Sequence, residues 1–222
     1  MGGRGSGASL GGGGNEKVNI VKTTDIWSYR HSQNNEPFVD AINTSVGRIQ
    51  NDFPDIMQTV NRVDAAEFGG ADKYLTLGVY GSDGTLALNQ NYTNIDKMNR
   101  VYDDAVASGF HPSRGDRTGT EAVAIHEMGH AVTDHIAQMG WGNDIDSAAK
   151  TIVDYAYERT GGRGGTKAWA KKISGYATKS NAECVAEAFA DYYCNGRNAH
   201  KNSIAIVNEA KRLSSFEPIP FN

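Results

Sequence analysis

Two histidines and a glutamate carry the chemistry this chain is equipped for, in the stretch His126-Glu127-Met128-Gly129-His130. On a helix, residues four apart are neighbours on one face, with about 5–6 Å between Cβ atoms, so His126 and His130 can chelate one metal ion. Glu127 falls beside such an ion rather than on it, where a carboxylate can take a proton from a bound water. Read alone, five residues also fit a buried helix whose histidines bond to core partners. The surroundings have to decide.

Those surroundings predict the helix. Ala122, Val123, Ile125, Met128, Ala131, Val132 and Ile136 recur at helical spacing, Thr118-x-x-Glu121 offers a capping box upstream, and Gly140 stops the run. A catalytic zinc normally takes three protein ligands and keeps one position for water. The longer pattern in which a glycine breaks the helix and a later histidine returns is not met. Thr133 and Ile136 stand at those positions, and His135 faces roughly away from His126 if the helix continues. The other source of a ligand is the segment Ser180 to Asp191, where Glu183, Glu187 and Asp191 are spaced to share one helical face. Like charges so placed repel by a few tenths of a kcal/mol per pair. An external cation or an imidazole N–H would relieve this, whereas a solvated acidic face, with Glu183 as the capping-box partner of Ser180, is the plainer alternative.

Other elements must build the frame. Residues 17–22 read as a short strand, and Phe38, Val39, Ile42, Val46 and Ile49 predict an amphipathic helix over 36–50 that Pro54 keeps from running on. The pattern from Met57 to Val63 is ambiguous. Leu75, Leu77 and Val79 alternate with polar or small neighbours, Gly-Ser-Asp-Gly at 81–84 is turn chemistry, and Leu86 and Leu88 alternate again, which predicts a β-hairpin. Thr93-x-x-Asp96 opens a helix carrying Ile95, Met98, Tyr102 and Val106 inward. Gly109 to Gly119, with Arg114-Gly115-Asp116, reads as a polar loop. Further helices are expected over 145–158, 181–193 and 200–213. The class is α+β, helix-rich, with a small antiparallel sheet ahead of the motif.

A chain of 222 residues with a net charge of −4 suits a single core. The expected division is a flexible glycine-rich tail over 1–15 and one domain over 16–222. Scattered basic residues argue against a nucleic-acid partner, and the absence of a long apolar run against a membrane span. The first residues lack the charged and apolar regions of a secretory signal, so action in the producing cell, in a virion or after non-classical export is expected. The glycine-rich start resembles the ends of some phage structural proteins. Cys184 and Cys194, ten residues apart on one expected helix, would lie about 15 Å apart and could not bond to each other. The sequons at Asn43 and Asn91 read as chance.

Taken together, His126-Glu-Met-Gly-His-Ala-Val132 and Tyr176 followed by Glu183-Cys-Val-Ala-Glu187-Ala-Phe189 resemble the catalytic domain of anthrax lethal factor and its relatives, including the Pro-Pro endopeptidases. The likeness is dense over 120–132 and 174–190. It implies a two-lobed zincin metalloprotease fold, with a small antiparallel sheet and helices in an N-terminal lobe, a helical C-terminal lobe, and zinc between them. It implies that His126, His130 and Glu183 hold Zn2+, that Glu127 is the general base, that Tyr176 faces the open position and stabilises an oxyanion, and that Glu187 orients a ligand histidine from behind. Glu187-x-x-x-Asp191 also fits the register of the thermolysin-like peptidases, which would move the third ligand to Glu187. The activity so implied is hydrolysis of peptide bonds in protein substrates by a monomeric zinc endopeptidase, with the hairpin over 74–91 offering an edge strand to an extended substrate. Tyr80, Asn89 and Tyr92 are subsite candidates there, with sheet surface favoured. The alternative is a catalytically silent phage structural or binding protein that keeps the fold.

Overall fold

A computed structural model describes residues 18–30 and 35–215; the expected tail over 1–15 and the Pro-containing end lie outside them. The chain begins with β1 (Ile20–Asp25), α1 (Ile26–Arg30) and α2 (Glu36–Asp52). Helix α2 starts over Pro37 and stops before Pro54, which has no N–H to continue the ladder. A 3-10 turn leads into β2 (Arg62–Phe68), then α3 (Asp72–Leu75), β3 (Gly78–Tyr80) and β4 (Thr85–Asn89). After α4 (Ile95–Ala107) and a loop comes α5 (Gly119–Ile136), followed by α6 (Ile145–Arg159), α7 (Thr166–Ala170), α8 (Asn181–Asn195) and α9 (Lys201–Ser214). Among the described residues no helix is long and apolar enough to cross a membrane.

The sheet runs β1-β2-β4-β3 and is mixed rather than antiparallel as expected. The predicted hairpin forms over a shorter span than 74–91, because Leu75 belongs to helix α3 and only Gly78–Tyr80 pairs antiparallel with β4; its inner strand β4 runs parallel to β2, with Val63 against Leu86 and Ala65 against Leu88. The chain reaches the sheet edge through α3 before returning, which reverses the direction the hairpin presents to β2. Strand β2 itself escapes a periodicity reading, because Asp64, Ala65 and Ala66 are buried in succession and no alternation marks them. The strand expected over 17–22 falls a few residues later, at Ile20–Asp25.

Helix α5 is the centre of the molecule. Ala122, Ala124, Ile125, Met128, Ala131, Val132 and Ile136 are fully buried, as a helix packed on all sides requires. It packs against α2, α4, β3 and β4 and against α6, α8 and α9. Phe38, Ile42 and Ile49 of α2 and Leu86 and Leu88 of β4 join it in one continuous core, each such side chain contributing about 1.5–3 kcal/mol of hydrophobic stabilisation. The expected capping box closes its first turn, Thr118 Oγ1 accepting from Glu121 N at 3.1 Å and Glu121 Oε2 accepting from Thr118 N at 2.8 Å. At its other end the chain passes through a π-helical turn in which Gly140 takes φ 93°, a conformation that favours glycine.

Candidate metal centre

One turn of α5 separates His126 from His130, and their rings lie 5.1 Å apart, nearly perpendicular. Both are buried. Helix α8 crosses the same stretch and delivers Glu183, whose Oε2 lies 3.2 Å from His126 Nε2 and 3.6 Å from His130 Nε2. One ligand atom from each of His126, His130 and Glu183 falls within 4.8 Å of the other two, and among the described residues this is the group able to hold a metal ion.

The residues fit such an ion on the chemistry of their own atoms. His126 Nε2, His130 Nε2 and Glu183 Oε2 are buried and have no aligned hydrogen-bond partner. Buried polar atoms left unpaired are costly, and several converging on one point call for something that binds them all. Two imidazoles and one carboxylate suit a divalent ion such as zinc. Bonds of about 2.0–2.1 Å at tetrahedral angles place ligand atoms about 3.3–3.4 Å apart, close to the 3.2 and 3.6 Å separations of Glu183 from the two rings.

Glu127 is fully buried beside the pair, and neither of its oxygens has an aligned partner. Burial drives its carboxyl up, the nearby histidines and the backbone amide of Tyr80 pull the other way, and the result is about 7. Strand β3 packs over it so closely that a Cβ on Gly78 would lie 3.1 Å from Glu127 Oε1. Tyr176 reaches the site from the 3-10 turn ahead of α8, its hydroxyl donating to Glu183 Oε1 at 3.3 Å. Burial first, and then the charges of Glu183, Glu127 and Glu187, keep the phenol protonated.

Glu187 lies one turn beyond Glu183, behind His126. Its Oε1 is 2.9 Å from His126 Nδ1, without full hydrogen-bond alignment, and its Oε2 accepts from Ser174 Oγ at 2.7 Å. Burial alone would raise this carboxyl, but the charge and hydrogen bonds of His111 and His126 pull it down to about 2. Burial likewise opposes a charge on His126, while Glu183 and Glu187 outweigh it and raise the basicity of the ring. A carboxylate on Nδ1 leaves Nε2 to face Glu183.

The third member of the acidic stripe belongs elsewhere. Asp191 accepts from Ser203 Oγ at 2.6 Å, from the backbone N–H of His200 at 2.8 Å and from Asn195, so it ties α8 to the start of α9. His135 is turned away from the site to Thr59, 3.1 Å from its Nδ1. Tyr80, Asn89 and Tyr92 are buried inside the frame rather than set on its surface. They bond respectively to Asp134, to the carbonyls of Lys73 and Thr76, and to the carbonyl of Tyr74. Arg114 pairs with Asp103 of α4 through two hydrogen bonds, which ties the loop carrying Arg114-Gly115-Asp116 to that helix. Cys184 and Cys194 carry free thiols that burial pushes up to about 12.

A sequence reading misses His111. The 109–119 loop looks polar, yet His111 is buried and its Nδ1 lies 2.8 Å from Glu187 Oε1. Its flanking Phe110 and Pro112 are the only local sign of an inward turn. The contact is made across 76 residues, and no periodicity spans such a separation.

Comparisons of the chain with protein-family models, with curated proteins and with solved structures gave no match.

Proposed function

We propose that this chain is a zinc-dependent endopeptidase of the lethal-factor-like class. In this reading the fold is a two-lobed zincin, the sheet with α2 and α4 on one side of α5 and the helices α6, α8 and α9 on the other. The observation that carries the reading is the convergence of His126, His130 and Glu183 on one point with unpaired ligand atoms, and with Glu127 and Tyr176 at its margin.

Held by these three side chains, zinc would supply Lewis acidity toward a carbonyl oxygen and would acidify a water molecule. The chain's own groups do the rest. Glu127, buried beside the three side chains, accepts the proton of the attacking water and returns it to the leaving amine. Tyr176 keeps its phenolic proton and donates a hydrogen bond to the developing oxyanion. Glu187 holds His126 in the orientation that presents Nε2. Strand β3, at the edge of the sheet and against Glu127, is where an extended peptide would align by main-chain hydrogen bonds.

Incubating the zinc-loaded protein with a peptide library and sequencing the products tests the proposal. Cleavage that is lost in Glu127→Ala supports it; equal cleavage by that variant sinks the mechanism. Metal binding without any cleavage favours the silent binding protein instead.

A further inference from the structure

Glu187 is fully buried, and a buried carboxylate stays in place only if its oxygens are satisfied. Ser174 takes Oε2. Oε1 is shared: His126 Nδ1 stands 2.9 Å from it on one side and His111 Nδ1 2.8 Å on the other. His126 is aligned only loosely on this oxygen, whereas His111 makes a regular hydrogen bond. The firm partner of Glu187 Oε1 is therefore not the ligand histidine.

The ring of His111 is itself held. It stacks on Tyr102 of α4 with centroids 5.3 Å apart and planes 7° from parallel, and it meets the rings of His126 at 6.2 Å and Tyr176 at 5.5 Å edge-on. The loop that carries it is sewn to the Tyr176 segment by two backbone hydrogen bonds, Gly175 N to Gly109 O at 2.8 Å and Tyr176 N to Phe110 O at 3.0 Å. One residue thus touches the support of a metal ligand and the residue facing the open position.

We propose that His111 is a positioning residue of the metal centre: by donating Nδ1–H to Glu187 Oε1 it holds that carboxylate behind His126, and so fixes the orientation in which His126 presents Nε2. It reaches the metal only through Glu187 and His126. The inference rests on the metal-centre reading above.

Zinc affinity, measured by competition with a chromophoric chelator, separates this role from plain core filling. His111→Leu keeps bulk and removes the donor; it should weaken zinc binding about 10–100-fold, as loss of a support behind a ligand does. His111→Asn puts an amide N–H near the position of Nδ1 and should restore most of that loss. In a Glu187→Gln background, His111→Leu should cost little more. Unchanged zinc affinity in His111→Leu, even with a lowered melting temperature, overturns the proposal. So does equal weakening in the leucine and asparagine variants. Should His111→Leu not fold, the wild-type protein still decides. Its His111 ring N–H should give a downfield, slowly exchanging proton resonance that shifts on addition of zinc, and a resonance indifferent to zinc counts against the coupling. A wild-type chain that takes up no zinc defeats the metal-centre reading itself, whereas normal uptake by wild type and His111→Leu alike defeats this inference alone.

Discussion

Gly129 lies against Ala186 so closely that a Cβ on the glycine would stand 2.8 Å from the alanine's Cα. The two helices of the site therefore meet backbone to backbone, between His126 and His130 on α5 and between Glu183 and Glu187 on α8. The missing side chain sets the depth at which the acids of one helix reach the imidazoles of the other.

Gly129→Ala is a direct test of that contact. In a helix interior the substitution alone gains up to about 1 kcal/mol, while overpacking a tight contact costs about 1–3 kcal/mol. A net loss of stability in urea unfolding is expected, together with weaker zinc binding, because α8 must shift away and take Glu183 with it. A gain in stability with unchanged affinity would show that the approach is not tight.

Metal content distinguishes the acids. Wild type and Glu127→Ala should each retain about one zinc per chain after dialysis, measured by plasma mass spectrometry, since Glu127 stands beside the ligands. Glu183→Ala should retain little. Normal zinc in Glu183→Ala would show that Glu183 is not the third ligand.

Tyr176→Phe keeps the ring packed against Phe110, 4.8 Å between centroids, and removes only the hydroxyl. Melting temperature should hardly change. Peptide turnover should fall by roughly 10²–10³-fold, the usual worth of one oxyanion donor. An unchanged kcat would take Tyr176 out of the reaction.

Gly78→Ala should separate chemistry from metal binding. The new methyl would press on Val123 and Glu127, 2.9 and 3.0 Å from their side-chain carbons, without touching a ligand. Zinc content should stay at the wild-type level while kcat drops. Loss of zinc instead would mean that β3 supports the ligands themselves.

Asp52 at the end of α2 accepts from Tyr193 of α8 at 2.6 Å and pairs with Lys211 of α9 at 2.6 Å, tying α2 to both of those helices. Burial works to raise its carboxyl, but the bonds to Lys211 and Tyr193 outweigh it and hold the value below the ordinary one. Stabilisation by a lowered carboxyl is complete above the unfolded-state value, near pH 4, and fades as the pH falls through the folded value. Wild type should therefore exceed Asp52→Asn in stability at neutral pH, by a margin that shrinks with salt and vanishes in acid. A margin that grows on acidification would contradict the assignment.

What the sequence determined by itself is local. A helix repeats every 3.6 residues, so the pairing of His126 with His130, the position of Glu127 between them and the shared face of Glu183, Glu187 and Asp191 follow from spacing alone. The capping box of Thr118 and Glu121, and the turn between β3 and β4, follow from side chains that satisfy backbone groups a few residues away. Tertiary structure decided the rest, because it depends on how elements approach one another. Three acids on one face offered three candidates, and the crossing at Gly129 and Ala186 put Glu183 at the imidazoles while Asp191 turned to α9. The parallel pairing of β2 with β4 depends on the path of the chain, for which a run of buried small residues gives no sign. His111 is the clearest case: a loop residue of no periodic pattern becomes the partner of Glu187 only when α4, α5 and α8 close around it.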